Sequence, residues 1–131
     1  MFDINPSAPS PIWLQIDEGM RRMIALGSLT PGDAVPSVRD LAKSLRVNPN
    51  TVARAYQRLT DAGVFSVRRG EGTFVADKPA TLGKSQRSEA LRDAAATYAG
   101  TAISIGAGVN EAVRELETGY ERLVSEHRRK A

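Results

Sequence analysis

Five stretches of this chain place apolar residues at intervals of three and four, and one stretch between the third and fourth is rich in β-formers. Over residues 11–26, Ile12, Ile16, Met20, Met23 and Ile24 recur at helical spacing, which predicts an amphipathic helix. Ser10 can cap it, Pro11 suits its first position and Gly27 stops it. Residues 29–35, LTPGDAV, read as a turn leading into a short strand, after which Pro36 interrupts.

A pair of short helices comes next. Val38, Leu41, Ala42 and Leu45 form the apolar face of the first, while Val52, Ala55, Tyr56 and Leu59 form that of the second. Ser37 can accept from the Asp40 amide while the Asp40 carboxylate reaches back, a variant of the capping box. Asn48 can cap the second helix with Pro49 as its first residue, where a missing amide hydrogen costs nothing and a fixed φ already suits the helix. With the apolar side turned inward, Asn50, Thr51, Arg54 and Arg58 face out. Such a pair forms a helix-turn-helix, whose second helix presents its N-terminal half to the DNA major groove. Arg there can bond a guanine edge, Asn an adenine edge, and Thr a thymine methyl or a phosphate; Arg54 is read as a base contact. After Gly63, residues 64–68 and 73–75 read as two strands joined through Gly70 and Gly72, with Arg68 and Arg69 at the base. A basic hairpin in this place is a wing that sets cations and bare amides against phosphates or in the minor groove.

Residues 77–85 break the periodicity with Pro79, Gly83 and small polar residues, and read as a linker or a tight corner. Beyond it Leu91, Ala95, Tyr98, Ala102 and Ile105 alternate four and three, as do Val109, Val113, Leu116, Tyr120 and Leu123. Gly106 and Gly108 separate the two patterns, and Asn110 can help to cap the second. Two short amphipathic helices cannot close a core alone, so their seams need either the preceding domain or a second copy, which is favoured. The expected fold is mainly α with a small β-wing: a winged helix-turn-helix DNA-binding domain over residues 1–78 and a two-helix antiparallel dimerisation element over residues 79–131.

Composition narrows the chemistry. At 131 residues and 41% hydrophobic, the chain holds at most two compact parts. It has no cysteine, which excludes disulfides and thiolate metal sites, and its single histidine, His127, reads as a solvated tail residue; no metal or cofactor is expected. There is no Ser/His/Asp or Cys/His set and no phosphate-cradling loop ahead of a helix, so an enzyme is not expected. The first eleven residues lack the basic and apolar regions of a signal peptide, and no apolar run spans a membrane, so the expected location is the cytoplasm, with no membrane partner. The formal charge of +3 says little, but between residues 39 and 73 seven basic residues stand against three acidic ones.

From PIWLQI through LTPGDAVPSVRDLAKSL, VNPNTVARAYQRL, DAG and RRGEGTFV, in unbroken order over about half the chain, the sequence resembles the winged-helix domain of the GntR family of bacterial transcription regulators. The resemblance implies DNA contacts from Arg39, from Asn48, Pro49, Asn50 and Thr51, and from the wing tip Gly70, Glu71, Gly72 and Thr73; Ser37, Arg54, Arg58, Arg68 and Arg69 join them on the residues' own chemistry and place. Two positions depart from the family. Arg46 stands where Gly is frequent, and a left-handed backbone there would cost on the order of 1 kcal/mol. Ala53 stands where some members carry a DNA-contacting Arg, so their base sequence does not transfer. The short tail resembles that of the YtrA-type subfamily, which implies a homodimeric repressor on a pseudo-palindromic double-stranded operator, in a setting that includes ABC-transporter operons. An unidentified small-molecule effector would have to sit between tail and winged domain, near Trp13 or Tyr98, though each of these aromatics reads first as core. The alternative is a winged-helix adaptor that binds protein and reads no DNA sequence.

Overall fold

The computed structural model describes residues 1–129; Lys130 and Ala131, the last two positions of the tail element, lie outside them. The order of elements is α1 (Ile12–Ala25), α2 (Val38–Leu45), α3 (Pro49–Asp61), β1 (Phe65–Arg68), β2 (Gly72–Val75), α4 (Lys84–Ser104) and α5 (Val109–Arg129). Among the described residues five helices and one two-stranded antiparallel sheet thus make a winged helix-turn-helix followed by two further helices. Among the described residues no helix is long and apolar enough to cross a membrane.

The chain divides into two compact units, Met1–Ala80 with residues 126–129, and Thr81–Ser125. In the first unit α3 is central, with α1 and α2 packed on it and β1 against its far end. Its core joins Ile16, Met20 and Met23 of α1, Leu41 and Ala42 of α2, and Val52, Ala55, Tyr56 and Leu59 of α3 to Val64, Phe65 and Val75. These are the positions whose spacing predicted the apolar faces. The N-terminal arm closes one side: Phe2 is buried and its ring lies over Gly19, where a Cβ would come within 2.7 Å of Cδ2.

Local details differ from expectation in two caps. Pro11 itself is the cap position of α1 and its ring carries no acceptor, so no side chain caps the helix; Ser10 stands one residue earlier, its carbonyl accepting from Gln15 Nε2 (3.0 Å). At α2 the Asp40 amide does donate to Ser37 Oγ (3.1 Å), which is the half of the capping box that forms. At α3 both expectations hold, with the Asn50 amide donating to Asn48 Oδ1 (2.8 Å) and Pro49 in the first turn.

In the wing, Phe65 pairs with Val75 and Arg68 with Gly72. The expected strand before Pro36 shrinks to a bridge from Ala34 to Phe74, but its backbone still covers the outer edge of β2 through Val35 N to Thr73 O (3.0 Å) and Val75 N to Asp33 O (2.8 Å). Tyr56 ties the unit together: its ring meets Phe65 edge-on at 5.2 Å and its hydroxyl donates to the Pro36 carbonyl (2.6 Å).

His127 is a correction. It is fully buried in the first unit, where its carbonyl accepts from Ser28 Oγ (3.3 Å), while Glu126 Oε1 accepts from the Asp3 amide (3.3 Å). The charged HRRK context suggested a solvated tail, but contacts almost a hundred residues away in sequence override it.

In the second unit α4 and α5 are joined by a turn in which Gly106 takes φ 81°. Asn110 lies inside α5 and does not precede it. The helices pack sparsely on each other, linked near the turn by Tyr98, whose hydroxyl donates to the Ala112 carbonyl (2.8 Å). Leu91, Ala95, Ile105, Val109, Val113, Leu116, Tyr120 and Leu123 are all exposed. Ala102 departs from that seam, being already covered within the chain, and Tyr98 departs from the core reading, being exposed.

Candidate nucleic-acid interface

The surface in question begins at the turn between α2 and α3. Arg46 closes α2 in the left-handed region, φ 59° and ψ 47°, with its amide directed back at the Ala42 and Lys43 carbonyls. That reversal brings the start of α3 clear of α2: Asn48, Pro49 and Asn50 are exposed and Thr51 is half-buried. Because Asn48 spends its carboxamide oxygen on the Asn50 amide, the end is ordered while the Asn50 side chain stays outward. A helix start also carries partial positive charge, which favours phosphate. Ser37 and Arg39, at the start of α2, are exposed as well.

The wing adds a second exposed edge. Between β1 and β2 the Glu71 amide donates to the Arg68 carbonyl (2.9 Å), and Gly70 and Gly72 take φ of 78° and 123°, which only glycine adopts without strain. Arg69, Gly70, Glu71 and Gly72 are exposed, with Thr73 half-buried. Arg68 is held along the wing, its guanidinium 4.0 Å from the Phe74 ring centroid and 4.0 Å from Asp77 Oδ1, whereas Arg69 has no such partner among the described residues. Arg69 is therefore the cation the wing presents.

Arg54 and Arg58, one turn apart on α3, do not project from its start. Both guanidiniums lie 4.5 Å from the centroid of the Trp13 ring, on α1. Each such stack contributes about 0.5–1 kcal/mol at an exposed site. Sequence reasoning placed Trp13 first in the core; the tryptophan packs on the core and also forms the seat of two exposed arginines. The signal in the sequence is the spacing of four between the arginines, but only the packing of α1 on α3 says which residue they meet. Among the described residues no group of His, Cys, Asp and Glu is arranged to hold a metal ion.

Comparison with known proteins places this surface in context. Residues 13–75 match the model for bacterial regulatory proteins of the gntR family. The chain is 40% identical over 81 residues to the transcriptional repressor YtrA of Bacillus subtilis, covering 62% of each chain. It is 34% identical over 113 residues to the transcriptional regulator Rv1152 of Mycobacterium tuberculosis, covering 86% of this chain and 88% of that one. Among solved structures, a Listeria monocytogenes protein described as a transcriptional antiterminator superposes with a TM-score of 0.73 at 29% identity, over 95% of this chain and 92% of that one. The GntR-family factor YtrA of Sulfolobus acidocaldarius gives 0.55 at 29%, over 92% and 97%. The DNA-binding domain of AraR, solved in complex with an operator, gives 0.51 at 27%, over 58% of this chain and 93% of that one.

Proposed function

The chain belongs to the GntR family of bacterial regulatory proteins, in its YtrA-type arrangement, and from that premise we propose that it is a sequence-specific DNA-binding repressor that sits on a pseudo-palindromic operator as a homodimer. The carrying observation is the exposed polar start of α3 beside an exposed glycine wing with one uncommitted arginine. In this reading Asn50 and Thr51 meet base edges in the major groove. Ser37, Arg39, Asn48 and Pro49 fix the helix start on the backbone, and Arg69, Gly70, Glu71, Gly72 and Thr73 approach the adjoining groove. An adaptor that binds protein alone would have no use for bare wing amides and unpaired cations.

The seam of the second unit supplies the dimer. A groove of about 420 Å³ lined by Tyr98, Glu115, Leu116, Gly119, Tyr120 and Leu123 shares four residues with that seam, so a second copy fills it and we assign no small-molecule effector there. Repression then follows from occlusion of the promoter by the bound dimer, in the cytoplasm. The YtrA-type tail makes an ABC-transporter operon the first target to test.

The test is fluorescence anisotropy on duplexes from the protein's own upstream region and on scrambled duplexes, across a salt series. The reading expects a specific site bound about a thousandfold or more tighter than scrambled DNA, with log K falling linearly in log salt for both. Arg69→Ala should weaken both duplexes alike. Indifference to all DNA in dilute buffer would reject the proposal.

A further inference from the structure

Two arginines of α3 share one aromatic ring of α1. We propose that Trp13 is a positioning residue of the DNA interface, holding Arg54 and Arg58 together as a two-cation clamp for the phosphates of one strand beside the recognition helix. This rests on the DNA-binding reading above and deepens it.

The geometry supplies the first argument. Each guanidinium lies 4.5 Å from the same ring centroid, so the two cannot be farther apart than twice that distance. Two cations held within that distance and facing solvent make one concentrated patch of positive charge, whose mutual repulsion the indole face helps to tolerate. A phosphate between or beside them would meet both charges at once.

The surroundings supply the second. Among the described residues the ion pairs join Arg21 to Asp17, Arg22 to Glu18 and Arg68 to Asp77, and none involves Arg54 or Arg58. The acids that share a cleft with Arg58 are Asp17 and Asp61. Asp17 Oδ1 accepts from Arg21 Nε (2.7 Å), and Asp61 Oδ1 accepts from Gln57 Nε2 (2.8 Å). Both cations therefore face solvent without a carboxylate, although carboxylates stand nearby.

The third argument is the chemistry of the seat. A leucine at position 13 would still present an apolar side chain to the core but would not attract a guanidinium, whereas an aromatic face does. Stacking fixes long side chains before DNA arrives, so less freedom is lost on binding. Because the guanidiniums lie toward α1 and not at the start of α3, their target is backbone phosphate, and Arg54 moves from the base-reading set to the positioning set.

Binding of a short random-sequence duplex, followed by anisotropy across a salt series, reads phosphate contacts separately from base readout. Trp13→Leu should bind about tenfold more weakly at low salt, with a slope of log K against log salt shallower by about one to two. Trp13→Phe, which keeps a ring face, should stay within about threefold of wild type with an unchanged slope. Arg54→Gln with Arg58→Gln should reproduce the leucine result. These two positions are exposed and outside the core, so that double variant keeps the test intact if Trp13→Leu does not fold, as thermal melting of each variant would reveal. An unchanged slope in the double variant overturns the clamp. A shallower slope in the double variant together with a folded Trp13→Leu of wild-type affinity and slope overturns the role of Trp13. Wild-type protein without affinity for any duplex would instead remove the DNA-binding reading, and the clamp with it.

Discussion

Arg46 holds a backbone conformation, φ 59° and ψ 47°, that disfavours a side chain, and it does so at the turn that frees the start of α3. Relieving the clash of its Cβ outweighs the extra freedom that glycine gives the unfolded chain. Arg46→Gly should therefore stabilise the protein by about 0.5–1 kcal/mol, read as a higher urea midpoint at unchanged m-value. Tyr56 makes the opposite kind of point. Burial pushes its phenol well above the ordinary value of 10.0, which keeps the hydroxyl a donor to the Pro36 carbonyl at 2.6 Å. A group with a raised folded pKa contributes fully below its unfolded value and loses that contribution as pH rises, so an alkaline decline from Tyr56 should begin near pH 10. Tyr56→Phe should cost about 1 kcal/mol at neutral pH by leaving the Pro36 carbonyl without its donor, and should remove this part of the alkaline decline. Denaturant melts of both proteins from neutral pH upward check both effects. A decline of equal depth in the phenylalanine variant would assign it elsewhere.

Among the elements, those whose ends carry their own hydrogen-bonding chemistry were legible in the sequence. The run Asn48, Pro49, Asn50 encodes a cap, a first-turn proline and an outward polar residue within three positions, and α3 begins where that run says. The glycine pair of the wing likewise encodes positive φ locally. What the sequence did not reveal depends on distant contacts: the burial of His127, and the meeting of Arg54 and Arg58 with Trp13. Periodicity reports which face of a helix is apolar, but not which polar side chains on the other face find one another. The strand before Pro36 fell between these cases, because an extended run was legible there while its length and its partner in β2 were not. The cap of α3 tests how far local chemistry reaches into function. Asn48→Ala should destabilise the protein by about 1 kcal/mol through the lost bond to the Asn50 amide. It should also weaken specific DNA more than scrambled DNA, since the frayed residues are those assigned to base edges, whereas Asn48→Ser should restore most of both. Equal losses on both duplexes would mean that the cap orders backbone contacts alone.

For the molecule as a whole, each winged unit offers one recognition helix and one wing, and the second unit carries a row of exposed apolar side chains among its described residues. Leu91, Leu116 and Tyr120 are 64%, 57% and 69% exposed, and burying a large apolar side chain contributes about 1.5–3 kcal/mol, so covering the row with a second copy offers enough free energy to hold a dimer. Two winged units joined in this way meet two half-sites at once, and linkage raises affinity by about a hundredfold or more without adding a contact to either half. Leu116→Glu separates the two contributions, because it places a charge where the seam must become dry and lies in the compact unit that excludes the winged core. Sedimentation velocity should show the wild type as a dimer and the variant as a monomer. Circular dichroism and melting of the winged unit should stay close to wild type, while affinity for a duplex with both half-sites falls on the order of a hundredfold and affinity for a single half-site changes little. A variant that remains dimeric would take the seam out of the assembly. A monomer that still holds the full duplex as tightly as wild type would show that the half-sites are bound independently, and the tail would then need a different explanation from joining two readers of one operator.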